Sequence, residues 1–105
     1  MNLARIAVAV LSLSVVYAAG DAKEGKTAYV QHCQNCHGAN GVANPKIAKM
    51  VKVEIPDLGS ASVQKMSDEE LKKVITEGKG KMLPVRTVTG KTADDVVAYV
   101  RTMKK

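Results

Sequence analysis

The chain has 105 residues, with 16 Lys+Arg against 10 Asp+Glu and a formal net charge of +6. That length holds one domain, and an apolar content of 46% distributed along the chain excludes an intrinsically disordered protein. The lysines are dispersed, and beyond residue 20 the only aromatics are Tyr29 and Tyr99, which argues against a nucleic-acid interface.

Residues 1–20 read as a cleaved leader: Arg5 gives a positive start, residues 6–16 are an apolar run, and small residues follow. Ala18 or Gly20 stands just before the expected cut. The run is shorter than the roughly 20 residues that span a bilayer, and no Cys adjoins the cut to carry a lipid. The expectation is an exported, soluble domain over residues 21–105, with a net charge of +5 once Arg5 is gone. A retained interfacial helix is the alternative.

The remaining chain has no Phe and no Trp. Domains this small usually need an internal prop, and here the large side chains that fill a core are missing. The shortfall points to a buried, bulky, apolar group that is not an amino acid.

In chain order, Asp21 with Glu24 three residues on is a capping-box pattern that opens a helix running to about Cys33. Gly25, Tyr29 and Cys33 share one face of it, and Gly25 suits close approach of another helix. Residues 38–41 are a turn. Asn44 and Pro45 cap and start a short helix to about Lys52, and Pro56 keeps residues 55–60 in a loop. Ser67 and Glu70 form a capping box flanked by Met66 and Leu71 in hydrophobic-staple positions. Leu71, Val74 and Ile75 are that helix's buried stripe, and Gly78 ends it. Residues 78–84 carry two Gly and a Pro and are irregular. A last helix begins at Thr92, with Asp94 and Asp95 in its first turn and Val96, Tyr99, Val100 and Met103 on its apolar face. No segment alternates with period two for long, so the fold class is all-α, about four short helices.

Residues 33–37 read Cys-Gln-Asn-Cys-His and contain both cysteines of the chain. Two thiols at this spacing can add to the two vinyl groups on one edge of a haem, and His37 then supplies an axial nitrogen: the haem c attachment signature. The competing readings are weaker. A redox-active disulfide expects a βαβ setting, and a zinc site needs four ligands, for which only His32, Cys33, Cys36 and His37 are at hand within six residues. A single covalent haem c also fills the depleted core, and export matches its assembly outside the cytoplasm.

The ligand on the other face of the iron decides the function. His32 adjoins Cys33 and cannot reach that face, leaving Met, Lys or no protein ligand. Of the methionines, Met50, Met66 and Met103 have ordinary core or staple roles, whereas Met82 stands in the irregular Gly/Lys/Pro loop and can reach inward. Met/His ligation is an electron-transfer arrangement.

The chain resembles the small, soluble, single-haem class I c-type cytochromes of bacteria. The resemblance rests on GKTAYVQHCQNCHG at 25–38, IPDL at 55–58, MSDEELKKVITEGKGKM at 66–82 and DDVVAYVR at 94–101. It implies a helical fold whose first and last helices cross near Gly25 and Tyr99. It also implies His37 and Met82 as axial ligands, and Pro45 as the proline whose carbonyl orients the axial histidine. One departure stands out: the family places Pro directly after the ligand Met, and here Leu83 intervenes before Pro84.

The function expected is a periplasmic, monomeric one-electron carrier and not an enzyme. Lys79 and Lys81 would steer acidic redox partners to the haem edge. Two alternatives stay open. One is a haem protein with an open sixth site that binds or senses small ligands. The other is an electron-accepting subunit of a periplasmic dehydrogenase.

Overall fold

The structure is a computed structural model that describes residues 20–105. The expected leader, apart from Gly20, lies outside the described residues. Six helical segments follow one another: α1 (Ala22–His32), α2 (Gln34–His37), α3 (Pro45–Val51), α4 (Ala61–Gln64), α5 (Asp68–Glu77) and α6 (Gly90–Arg101). Among the described residues there is no strand beyond an isolated bridge between Lys79 and Met82. None of these helices is long and apolar enough to cross a membrane.

The fold closes by packing α1 against α6. Gly25 faces the backbone of Asp95 so closely that a Cβ there would sit 1.8 Å from the Asp95 carbonyl oxygen. One turn on, Tyr29 meets Tyr99 edge to face, with ring centroids 5.1 Å apart and planes at 63°, a favoured aromatic geometry. Tyr29, Val88 and Val96 are the largest fully buried side chains, and α5 adds Leu71 and Ile75 to the same core.

The local signals mostly act as the sequence indicates. Asp21 caps α1 by accepting from the Lys23 and Glu24 amides, and Asn44 caps α3 by accepting from the Lys46 amide. The Ser67–Glu70 capping box closes in both directions at α5. Gly78 ends α5 with φ 78°, a conformation glycine adopts without penalty.

Three features correct or add to the sequence reading. The last helix starts at Gly90 with Thr89 as N-cap, two residues before Thr92, so both Asp94 and Asp95 lie beyond its first turn. Asp95 is instead buried and accepts from the Asp21 amide at 2.7 Å and from Lys91 Nζ at 3.0 Å. It does for α1 what Glu24 was expected to do, from the other end of the chain. Asp94 pairs with Lys72 at 3.0 Å on the surface. Second, α1 ends as expected near Cys33, which is its C-cap, and a further helical turn, α2, follows directly and carries the Cys-x-x-Cys-His motif. Third, α4 has no counterpart in the sequence pattern. It is fixed by tertiary hydrogen bonds: Gln64 Nε2 donates to the carbonyls of Leu58 (2.8 Å) and Val100 (3.0 Å). Arg101 donates to the carbonyls of Gln64 (2.9 Å) and Met66 (2.6 Å).

Candidate haem-binding site

A cavity of about 420 Å³ opens between α3, α5, α6 and the motif turn. That size suits a small-molecule or cofactor site. Its wall is mostly apolar, with Leu71 and Ile75 from α5 and Val96 and Val100 from α6 among the core residues that border it. An apolar space of this size is room for a bulky apolar group, in agreement with the shortage of large side chains.

Cys33, Cys36 and His37 all border the cavity. The amides of Cys36 and His37 both donate to the Cys33 carbonyl, at 3.2 and 3.0 Å, which winds the motif into one tight turn. Cys33 is buried and Cys36 exposed, both as free thiols. Burial, and secondarily the neighbouring Cys36, push the Cys33 thiol up to about 11. A thiol so held stays protonated near neutrality, opposite to the depressed value of a redox-active Cys-x-x-Cys nucleophile. Among the described residues no cluster of three or more His, Cys, Asp and Glu can hold a metal ion.

His37 is half-buried, and desolvation favours its neutral imidazole. Its Nδ1 is buried with no hydrogen-bond partner. The hydrogen bond to the Pro45 carbonyl that the resemblance implies is therefore not formed. Pro45 is the first residue of α3. What ties α3 to the motif is the Asn44 amide, which donates to the Cys36 carbonyl at 3.1 Å. Behind the turn, the Tyr29 hydroxyl donates to the Gly38 carbonyl at 2.6 Å. Burial raises the Tyr29 phenol well above its ordinary value, so it remains a donor. His32 is exposed and outside the cavity wall.

Of the candidate methionines, Met82 and Met66 border the cavity, and Met50 and Met103 do not. Met50 is 75% exposed, and Met103 packs on Gly41 and the core. Met82 ends a tight turn in which the Lys79 amide donates to the Met82 carbonyl (2.9 Å) and the Met82 amide to the Lys79 carbonyl (3.0 Å). Gly80 supplies the positive φ of 58° that such hairpin turns demand. Lys79 is exposed at the cavity's edge, but Lys81 donates from Nζ to the Val51 carbonyl at 2.7 Å. No local pattern signals that contact, because its partner lies 30 residues away.

The residues present fit a covalently held haem: two thiols on one turn, a neutral histidine with an unpartnered buried nitrogen, a methionine and an apolar wall share one cavity. Comparison with known proteins agrees. No curated protein matches the chain. Among solved structures, the KustC0563 c-type cytochrome is similar at 30% identity and a TM-score of 0.65, over 77% of this chain and 98% of that one. A mutant form of the same cytochrome gives 27% identity and a TM-score of 0.63. The Kuenenia stuttgartiensis reducing HAO-like protein complex Kustc0457/Kustc0458 shares the fold at 19% identity and a TM-score of 0.66, over 82% of this chain and 44% of that one. A family model described as cytochrome c oxidase, cbb3-type, subunit III matches residues 20–100, and the chain belongs to that family of c-type cytochrome domains.

Proposed function

We propose that the protein is a one-electron carrier whose haem c is bound covalently by Cys33 and Cys36 and ligated at iron by His37 and Met82. One observation carries this reading: Met82, 45 residues beyond His37 in the chain, borders the same apolar cavity as the attachment turn. When bound, the haem supplies an iron that changes charge by one electron. The protein's own residues set the conditions for that change. His37, held neutral by burial, offers a lone pair, and Met82 offers an uncharged thioether. Neutral ligands and an apolar wall favour the less charged ferrous state and raise the potential. Two protein ligands also leave no open position for a substrate, which argues for a carrier and against an enzyme.

The net charge of +5 on residues 21–105 favours brief, salt-sensitive encounters with acidic redox proteins. Lys79, exposed at the cavity's edge, is the better placed of the two candidate docking lysines, since Lys81 is engaged with Val51. The similar fold in a reducing HAO-like complex is consistent with redox partners. The leader-like residues 1–20 support a periplasmic location, and a monomer suffices for the role.

Visible spectra of the haem-loaded protein, with and without carbon monoxide, test the assignment. The oxidised protein is expected to show the weak far-red sulfur-to-iron band, the reduced protein to ignore carbon monoxide, and Met82→Ala to lose the band. Ready binding of carbon monoxide by the wild type would replace the carrier with the open-site reading. A band that survives in Met82→Ala would move the ligand to Met66, the other methionine on the cavity wall.

A further inference from the structure

We infer that Lys81 is a positioning residue for Met82, a clasp that ties the ligand-bearing turn to the far wall of the cavity. The inference rests on the Met82 ligation proposed above. The turn at 79–82 is stiff within itself, through the paired hydrogen bonds between Lys79 and Met82. Its other backbone anchors lead back to α5: the Gly78 amide donates to the Val74 carbonyl at 2.9 Å and the Val85 amide to the Ile75 carbonyl at 2.9 Å. Between them, Leu83 follows Met82 and is 77% exposed, so its side chain gives the segment little grip on the core.

The wall formed by α3 is reached by the side chain next to Met82. Lys81 Nζ donates to the carbonyl of Val51, the last residue of α3, at 2.7 Å. Among the described residues this is the only hydrogen bond that joins residues 79–83 to α3. Its chemistry is favourable, because a cation meets a terminal helix carbonyl at the negative end of the helix dipole. Val51, Lys81 and Met82 all border the cavity, so the contact links its two sides at the position of the proposed ligand. Without it, the turn is free to swing about its α5 attachments and carry Met82 outward.

The test compares haem-loaded wild type with Lys81→Met, Lys81→Arg and Lys49→Met. The last removes an exposed charge on α3 and leaves the clasp in place. The readouts are the affinity of the oxidised protein for imidazole, which competes with Met82 for the iron, and hydrogen exchange at the Met82 amide. Lys81→Met is expected to bind imidazole about five-fold more tightly and to exchange the Met82 amide about five-fold faster, the factor that corresponds to about 1 kcal/mol of hydrogen bond. Lys81→Arg and Lys49→Met are expected to match wild type. Wild-type values in Lys81→Met would overturn the clasp, as would equal increases in Lys49→Met, which would assign the effect to charge alone. Faster exchange in Lys81→Met in a protein that lacks the far-red band would uphold the clasp and reject Met82 as the ligand.

Discussion

A single missing carbon sets how closely the two ends of this protein approach. At Gly25 any side chain would need space occupied by the Asp95 carbonyl, 1.8 Å from where its first carbon would lie. Backbone on both sides of that contact belongs to a helix and cannot step aside as a flexible side chain would. Gly25→Ala is therefore expected to destabilise the haem-loaded protein by about 3 kcal/mol or more, beyond the usual range for overpacking. Denaturant unfolding followed at the haem absorbance checks it, and a loss under 1 kcal/mol would mean that α1 and α6 slide past one another freely. At this scale the sequence was informative wherever a residue's chemistry is unusual. Gly25 is out of place in a helix, and two cysteines three apart followed by histidine have few other uses. It marked Lys81 only as a docking lysine, and the contact of Lys81 with Val51 across the cavity was not legible.

At the scale of elements, the most informative contact is the one between Asp95 and the start of α1. Its carboxyl is held below the ordinary carboxylate range, first by the Asp21 amide and then by Lys91. A depressed value in the folded state gives stability that is present above the unfolded value of about 3.8 and is lost as pH falls through the lower folded value. Acid should therefore loosen the α1–α6 pair below about pH 4. Asp95→Asn keeps an acceptor for the Asp21 amide but loses the charge, and is expected to show a shallower acid dependence at lower stability. Asp95→Ala leaves the amide without its acceptor and is expected to cost about 1–3 kcal/mol even at neutral pH. Thermal melts of the three proteins between pH 3 and pH 7 decide it: identical slopes would remove Asp95 from the acid response. Here the sequence was only half legible. Caps that act within their own turn, such as Asn44 and the Ser67–Glu70 pair, are local and were read directly. Asp95 and the four residues of α4 owe their roles to partners 74 and 36 residues away, and no local pattern encodes that.

For the whole molecule, the cavity dominates. The core residues around it are mostly Val, Leu, Ile and Ala, and they enclose about 420 Å³ that they do not fill. A double Cys33→Ala, Cys36→Ala variant, unable to hold haem covalently, is expected to lose the cooperative thermal transition and the near-ultraviolet signature of packed tyrosines. Partial helix content should remain in the far ultraviolet. A sharp transition in that variant near the temperature of the haem-loaded protein would show that the protein core is self-sufficient. This feature was the most legible of all, since a chain with neither Phe nor Trp announces a missing volume. Which side chains would line it, Met66 as well as Met82, needed the fold.

The seam between α1 and α6 also governs when this protein can fold. Gly25 and Asp95 are 70 positions apart, nearly the span of the described structure. The loop between them must be closed before their contact stabilises anything, and such distant pairings slow folding. A nascent chain that lacks residues 90–101 has no partner for its first helix. The attachment turn at residues 33–37 then stays open to solvent throughout synthesis. The same contact that makes the finished molecule tight thus keeps the unfinished one loose, with Cys33 and Cys36 accessible until residues 90–101 arrive.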